Sequence, residues 1–422
     1  MVILDNIGEL GFLKHKNHCN KMKQRINLFE PSYPILQLLL LLWIGLLSTG
    51  VMAQQTKKKN PIGELPDIPG YLTLKADFHL HTVFSDGHVW PSFRVREAIR
   101  DGLDVISLTE HIDYEGFPGE IVYNRERGYE IALETARNTD LLVIRGVEIS
   151  PRVQPYHHNA IFLKDVDAFP YEYMKDTHST FVMKDDIKRS ELMAPFLEAQ
   201  KQGGFVFYNH PSFNWWDQGE RILFTDFHQE LLDRGILGGV EVINGNRYNL
   251  IAHRMATKYN LTMFANSDEH HDTANTYKDT GRPFTLVFAT DKSEAAVEDA
   301  IINRRTLAYF DNHLVGRQKE AEAFVKSSLE LEPQKRQGKF APRLVVEVTN
   351  KTGIAYDLKF KSEYIIGARP LGSMKLEPFQ TQTLLLDPVW EYPEILELEV
   401  EVENVLVSPE EHLKMKMEVP VN

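Results

Sequence analysis

Short apolar runs separated by charged, helix-like stretches recur from Tyr71 to about Phe310. The runs are Leu74–Phe78, Val105–Leu108, Leu141–Val147, Ala160–Leu163, Phe205–Tyr208, Val240–Ile243 and Thr262–Ala265, seven candidate buried strands. Between the first two, Ser92–Arg100 reads as a helix with a candidate N-cap at Ser92 and a stop at Asp101-Gly102. Such alternation predicts an α/β architecture, a parallel sheet with helical crossovers, and the count suits a barrel. A strand Thr285–Ala289, a helix from Ser293 to about Arg304 and a strand Leu307–Phe310 look like the closing unit. From about Gln318 the texture changes. Leu344–Val348, Ala355–Phe360, Thr383–Leu386 and Leu396–Val407 are β-rich, broken by Asn, Gly and Pro and without helical period, which predicts a small C-terminal β-sandwich domain over residues 318–422.

Ahead of these elements, Ile35 to Leu47 form an apolar stretch with Lys14, Lys16, Lys21, Lys23 and Arg25 upstream and Val51-Met52-Ala53 as a small-residue exit. This reads as a secretory signal over residues 1–53, cleaved after Ala53. Extended to Met52 the stretch nearly reaches the ~20 residues of a membrane anchor, which is the alternative. The basic region is long, and translation from Met22 would give a more ordinary signal, leaving residues 1–21 unmade. Residues 54–70 form a linker, and residues 71–316 the main domain. The expected location is therefore periplasmic or secreted, with no stable membrane span after cleavage.

Composition narrows the chemistry. The chain of 422 residues has 43 % apolar and 25 % charged residues, as globular proteins do, and its length suits two or three domains. Its formal net charge of -13 repels polyanions and argues against dedicated nucleic-acid binding. A single Cys, Cys19, allows no intrachain disulfide and no Cys-based metal site, so any metal sits on His and carboxylates.

Those residues gather at strand ends. The first strand continues as Asp77-Phe78-His79-Leu80-His81, and residues two apart face one side, so His79 and His81 can hold one ion with Asp86 reaching back from Ser85-Asp86-Gly87. A lone His-x-His is weak evidence among 16 His. The second strand, however, ends Thr109-Glu110-His111, the third Gly146-Val147-Glu148, the fifth Tyr208-Asn209-His210 and the seventh Ser267-Asp268-Glu269-His270, while the fourth begins His157-His158-Asn159. In parallel barrels reacting groups converge at the C-terminal rim. Six imidazoles and three carboxylates there need compensating cations, and this donor set suits Zn²⁺, Mn²⁺ or Fe²⁺, with ligands enough for two or three ions.

The series His79-x-His81, Ser85-Asp86-Gly87, Thr109-x-His111, Gly146-x-Glu148, His157-x-Asn159, His210-Pro211 and Ser267-Asp268-x-His270 resembles the full motif set of the PHP (polymerase and histidinol phosphatase) superfamily. The sequence around Trp90, the strand Asn159–Leu163 and Arg282-Pro283-x-Thr285 through Ala289 further resemble secreted phosphodiesterases of the Sb-PDE type. The resemblance implies a distorted (β/α)7 barrel with a trinuclear site. In it His79, His81, Glu148 and Asp268 would hold a first metal, Asp86, His111 and a bridging Glu148 a second, and His157, His210 and His270 a third. His158 and His271 adjoin ligands in sequence, and strand alternation lets one of each neighbouring pair face the rim.

The expected reaction is hydrolysis of a small-molecule phosphate ester, a diester before a monoester, by a metal-activated hydroxide. Glu148 and Asp268 would serve the reacting centre, and among Arg145, Arg247 and Arg282 the last is the first choice as a phosphate clamp, against a structural ion pair. His88 is a candidate proton donor or a plain loop residue, and Trp215-Trp216 a substrate wall or core. A metal-dependent amidohydrolase is disfavoured because Glu148 stands where a bridging Lys is usual. A non-catalytic metal-binding module is the alternative from another class. The C-terminal domain shows no aromatic platform and reads as a packing partner, and oligomeric state is open.

Overall fold

A computed structural model describes residue 63 and residues 65–121, 124–174, 183–211, 224–387 and 389–421. The signal segment, most of the linker and Trp215-Trp216 lie outside them. Among the described residues no helix is long and apolar enough to cross a membrane.

All seven expected strands form: β1 (Leu72–Leu80), β2 (Val105–His111), β3 (Leu142–Ile149), β4 (His158–Ile161), β5 (Phe205–Tyr208), β6 (Leu237–Asn244) and, after a two-residue β7 (Arg247–Tyr248), β8 (Thr262–Asn266). They pair in the order β1-β2-β3-β4-β5-β6-β8. The last of them meets the first through the end of β1: Phe78 N donates to Asn266 Oδ1 at 2.9 Å, Asp268 N to His79 O at 3.0 Å and His81 N to Glu269 O at 3.2 Å. The expectation of a wholly parallel sheet fails at β4, which runs antiparallel to both β3 and β5. Only residues 150–157 connect β3 to β4, too few for the helical crossover a parallel neighbour requires.

The first helix, Pro91–Asp101, has Trp90 rather than Ser92 at its N-cap, because proline's fixed φ suits the first helical position. It stops at Gly102, whose φ of 74° is the left-handed conformation a side chain resists. Glycine is also required at Gly146, where a Cβ would lie 2.3 Å from Ser107 Oγ on the adjoining strand.

In the closing unit β9 (Phe284–Ala289) pairs antiparallel with the first half of β1 and lies against β8, where Thr285 Oγ1 donates to Ala265 O and accepts from Ala265 N, both at 2.9 Å. β10 (Thr306–Phe310), whose Thr306 Oγ1 donates to Met263 O at 2.9 Å, and β11 (His313–Gly316) carry the sheet on towards the C-terminal domain. A helix, Gln318–Ser328, follows where no helical period was read; its apolar side, Ala321, Phe324 and Val325, is wholly buried. Then comes the sandwich. One sheet is β12 (Leu329–Gln337), β13 (Pro342–Asn350), β17 (Thr381–Leu386) and β15 (Ile366–Gly367). The other is β16 (Ser373–Leu376), β14 (Tyr356–Lys361), β18 (Ile395–Ser408) and β19 (Glu411–Pro420). β11 pairs in parallel with β18 through Leu314–Val405 and Val315–Leu406, so one sheet runs from the barrel into the sandwich.

Candidate metal centre

Strand alternation and the shared direction of the strands bring the polar residues to one rim. Alternation along β1 sends His79 and His81 to the barrel mouth, and β2, β3, β5 and β8 end there with His111, Glu148, His210 and the Asp268–His270 segment. The reversal of β4 brings His157, just before its start, to the same mouth. Four overlapping groups have ligand atoms within 4.8 Å of one another: His81, Asp86, His111 and His270; His79, His210 and Asp268; His79, His81 and Glu148; and Glu148, His157 and His210. Glu148 is central, with Oε2 3.0 Å from His111 Nδ1 and Oε1 3.0 Å from His157 Nδ1. Asp86 spans His111 Nε2 at 3.3 Å and His270 Nε2 at 3.2 Å. His270 thus stands with the ligands implied for a second metal, and outside the His157–His210 group in which the resemblance puts it.

His79 Nε2 and His81 Nε2 are buried and make no hydrogen bond, although Asp268 Oδ1 lies 3.2 and 3.3 Å away. Buried polar atoms are ordinarily satisfied, and ring nitrogens converging with carboxylate oxygens are the donors that Zn²⁺-class cations take. The residues therefore fit a metal cluster. Mutual electrostatics point the same way. Burial opposes protonation of His79, but Asp268, Glu241 and Glu148 raise its pKa well above the usual range. His81, buried beside His270 and His111, is lowered to about 4. Burial would raise Glu148 and Asp268, yet the imidazoles around each hold both well below the carboxylate range.

The ligand loops carry strain. His210 has φ 27° and Asp268 φ 52°, left-handed conformations rare for such residues. Gly87 lets the loop fold tightly, since a Cβ there would lie 2.6 Å from the His81 carbonyl carbon. Glu110, buried on β2, accepts from Thr82 N at 3.1 Å and from Ser85 Oγ, fixing the turn that aims Asp86.

Several supporting residues were not read from the sequence. Glu241 on β6 is buried; its Oε1 lies 2.8 Å from His79 Nδ1 and accepts from Asn266 Nδ2 at 2.9 Å, while its Oε2 accepts from His210 N at 2.8 Å and Asn244 Nδ2 at 2.9 Å. It fixes the tautomer of His79, leaving Nε2 for the rim. The signal was there: a single carboxylate inside the apolar run Val240–Ile243. Asn209 donates to Glu148 Oε1 at 2.8 Å. Ser150 joins His111 Nδ1, at 2.7 Å, to Asp113.

Other candidates lie elsewhere. His158 turns inward onto Tyr208, Phe196 and His228. His271 stacks on His88 with centroids 4.4 Å apart, beside the cluster and outside its groups. Arg145 pairs with Glu126, and Arg247 lies exposed on β7. Arg282, the expected phosphate clamp, is corrected by its surroundings: its side chain is 5 % exposed, Nη2 bonds Asp77 Oδ2 at 2.5 Å and Nη1 Asp101 Oδ2 at 3.2 Å. It faces three carboxylates, Glu97 included, and no member of the cluster. Asp77 in turn accepts from Ser267 N and Oγ, so Arg282 reaches the site only through the residue before Asp268.

Comparison with known proteins bears on this arrangement. Residues 77–278 match the PHP domain family and residues 329–418 an Ig-like domain family. A crystal structure of a two-domain Bacteroides vulgatus protein, described as containing a predicted PHP-like metal-dependent phosphoesterase, aligns over 86 % of this chain and 99 % of its own, with 34 % identity and a TM-score of 0.72. An uncharacterised protein of Methanocaldococcus jannaschii is 27 % identical over 202 residues, 47 % of this chain and 82 % of its own length.

Proposed function

The chain belongs to the PHP-domain family, in a two-domain form with a C-terminal Ig-like domain, and from that premise we propose that it is an exported metal-dependent phosphoesterase acting on a small-molecule phosphodiester at a trinuclear site. The observation that carries this reading is the pair of buried, unbonded imidazole nitrogens of His79 and His81 facing Asp268 and Glu148. Nine side chains would hold the ions: His79, His81, Asp86, His111, Glu148, His157, His210, Asp268 and His270. Bound Zn²⁺, Mn²⁺ or Fe²⁺ would supply positive charge for phosphoryl oxygens and acidify water at neutral pH.

The chain's own residues set the geometry. Glu148 stays anionic at the centre and, through both oxygens, ties the His111 side of the rim to the His157 side. Asp268 is presented by a strained backbone that Asp77 holds through Ser267. Asp86 reaches the cluster from a loop pinned by Glu110. Preorganised this way, the rim positions an ester without reorganising during the reaction.

The test pairs metal content by mass spectrometry on residues 54–422 with hydrolysis of a chromogenic phosphodiester and its monoester. Two to three metals per chain with diester turnover well above monoester is the expected result. Monoester preference would move the activity to a phosphatase of the same site. Full metal with neither activity would turn the reading to a non-phosphate substrate or a non-catalytic module. Fewer than two metals on folded protein would overturn it.

A further inference from the structure

The most exposed large apolar side chains in the described residues all lie in the Ig-like domain, and all but Phe379 lie at one end of it. Phe340 is 85 % exposed, Leu371 88 %, Trp390 76 % and Ile365 66 %, with Ile395 also more than half exposed, whereas no large apolar side chain of the barrel exceeds the 51 % of Ile302.

Strand register puts them together. β11 of the barrel meets β18 at Val405 and Leu406, so Ile395, at the other end of β18, is distal to the barrel. Lys361 pairs with Glu399, and Ser373 with Lys359, which places the segment 362–372 at that distal end. Ile366 pairs with Leu386, Leu386 with Leu344, Asp387 N donates to Ile365 O, and Val389 N to Pro342 O. Three loops, 338–341, 362–372 and 387–394, therefore share one pole, and each carries a bare aromatic or aliphatic tip. The aromatic surface absent from the sequence reading of this domain is here, on loops rather than on a strand face.

Cations lie over two of the rings at this pole. Lys339 Nζ lies 5.1 Å from the Phe340 ring centroid and Lys335 Nζ 5.5 Å from that of Tyr392. Residues 335–343 carry four Lys or Arg and no acid, in a chain of net charge -13, while residues 387–395 carry three acids and no base. Exposed apolar tips gathered at one pole mark an interaction site. Separate apolar tips beside the basic 335–343 loop match a bilayer interface, where tips enter the acyl boundary and cations meet lipid phosphates.

We propose that the distal pole of the Ig-like domain docks on an anionic lipid surface, holding the barrel away from the membrane. The probe is sedimentation of residues 54–422 with vesicles of phosphatidylglycerol and phosphatidylcholine, or of phosphatidylcholine alone. Binding to the anionic vesicles that weakens at least tenfold in Phe340→Ser/Trp390→Ser, and in wild type as salt rises from 0.05 to 0.5 M (roughly a threefold shorter screening length), is the expected result. Lys335→Glu/Lys339→Glu, which alters no buried residue, should lose binding with an unchanged melting temperature. Absence of vesicle binding by the wild type, or binding indifferent to these variants, overturns the proposal. Pole-dependent dimerisation by light scattering without vesicle binding overturns it in favour of a second copy.

Discussion

Glu241→Ala tests the support of the metal centre most directly. The carboxylate is 1 % exposed and receives hydrogen bonds from His79, Asn266, the His210 backbone and Asn244. Truncation strands two fully buried donors, on His79 and Asn266, while those on the half-buried His210 and Asn244 can turn to water. At about 1–3 kcal/mol per stranded donor the loss is roughly 2–6 kcal/mol, a large part of the ~5–15 kcal/mol that holds a typical domain. Freed of its partner, His79 can adopt either tautomer, and removing such a support typically lowers metal affinity about 10–100-fold. The assay is competition with a chelator of known affinity, read beside thermal melting with and without metal. Glu241→Gln keeps one acceptor but turns an amide NH₂ on donors, so it should fall between wild type and Ala. Metal affinity of Glu241→Ala within twofold of wild type, on folded protein, would refute the reasoning.

His157→Ala should lower metal content and turnover sharply, whereas His158→Ala should keep most of both and lose stability, since His158 packs against Tyr208 and Phe196; the opposite pattern, by metal analysis and kinetics, would exchange their roles. Arg282→Ala should leave buried Asp77 without its cation, while Glu97 keeps Arg94, and cost about 3–5 kcal/mol, and the milder Arg282→Lys leaves KM within twofold; a tenfold rise in KM without loss of stability would make it a phosphate contact after all. Burial lowers both His228 and His253 to about 4. Folded protein thus binds fewer protons than unfolded, and stability should fall between pH 6.5 and 4 by up to about 1.4 kcal/mol per pH unit for each. His270, raised to about 9 against burial by Asp86, has the opposite sign. Its contribution is complete below pH 6.5 and lost as pH rises through 9, so it leaves that window flat. A metal-free His228→Gln/His253→Gln variant should show a shallower decline in melting temperature from pH 6.5 to 5, and an unchanged slope would sink the assignment. Ending the chain at residue 317 should give insoluble or unstable protein, because one apolar core joins Leu286, Phe288 and Leu314 of the barrel edge with Leu358, Val400 and Leu413 of the sandwich; a truncated chain melting like the whole would disprove that coupling.

The barrel strands were legible because each is a short run of apolar residues between charged segments, and burial on both faces imposes that pattern. Direction was not. Ala160–Leu163 reads as a strand in either sense, and only the eight residues separating β3 from β4 forbid the crossover. The fusion of barrel and sandwich was illegible for a related reason: Leu314 and Val315 pair with Val405 and Leu406 across some ninety residues of chain, and periodicity carries no information at that separation. The helix Gln318–Ser328 was missed because its period is carried by small and apolar residues, Ala321, Phe324 and Val325, within an otherwise charged stretch.

Candidate ligands were legible where chemistry is costly, since buried His and carboxylate need a reason to sit together. The reading failed where a polar residue serves another polar residue. Arg282 follows the last ligand motif in sequence, but β9 begins two residues later and returns along β1, which carries its guanidinium down to Asp77 beneath the rim. Glu241 presents the converse case: nothing next to it in sequence is a ligand, yet β6 lies between β5 and β8, and so between His210 and Asp268. Adjacency in the chain selects the first side chain and misses the second; adjacency in the sheet reverses that choice. The same logic explains His157. It adjoins an inward-facing His158 on a strand of reversed direction, and reversal alone brings the start of β4 to the mouth where its neighbours end.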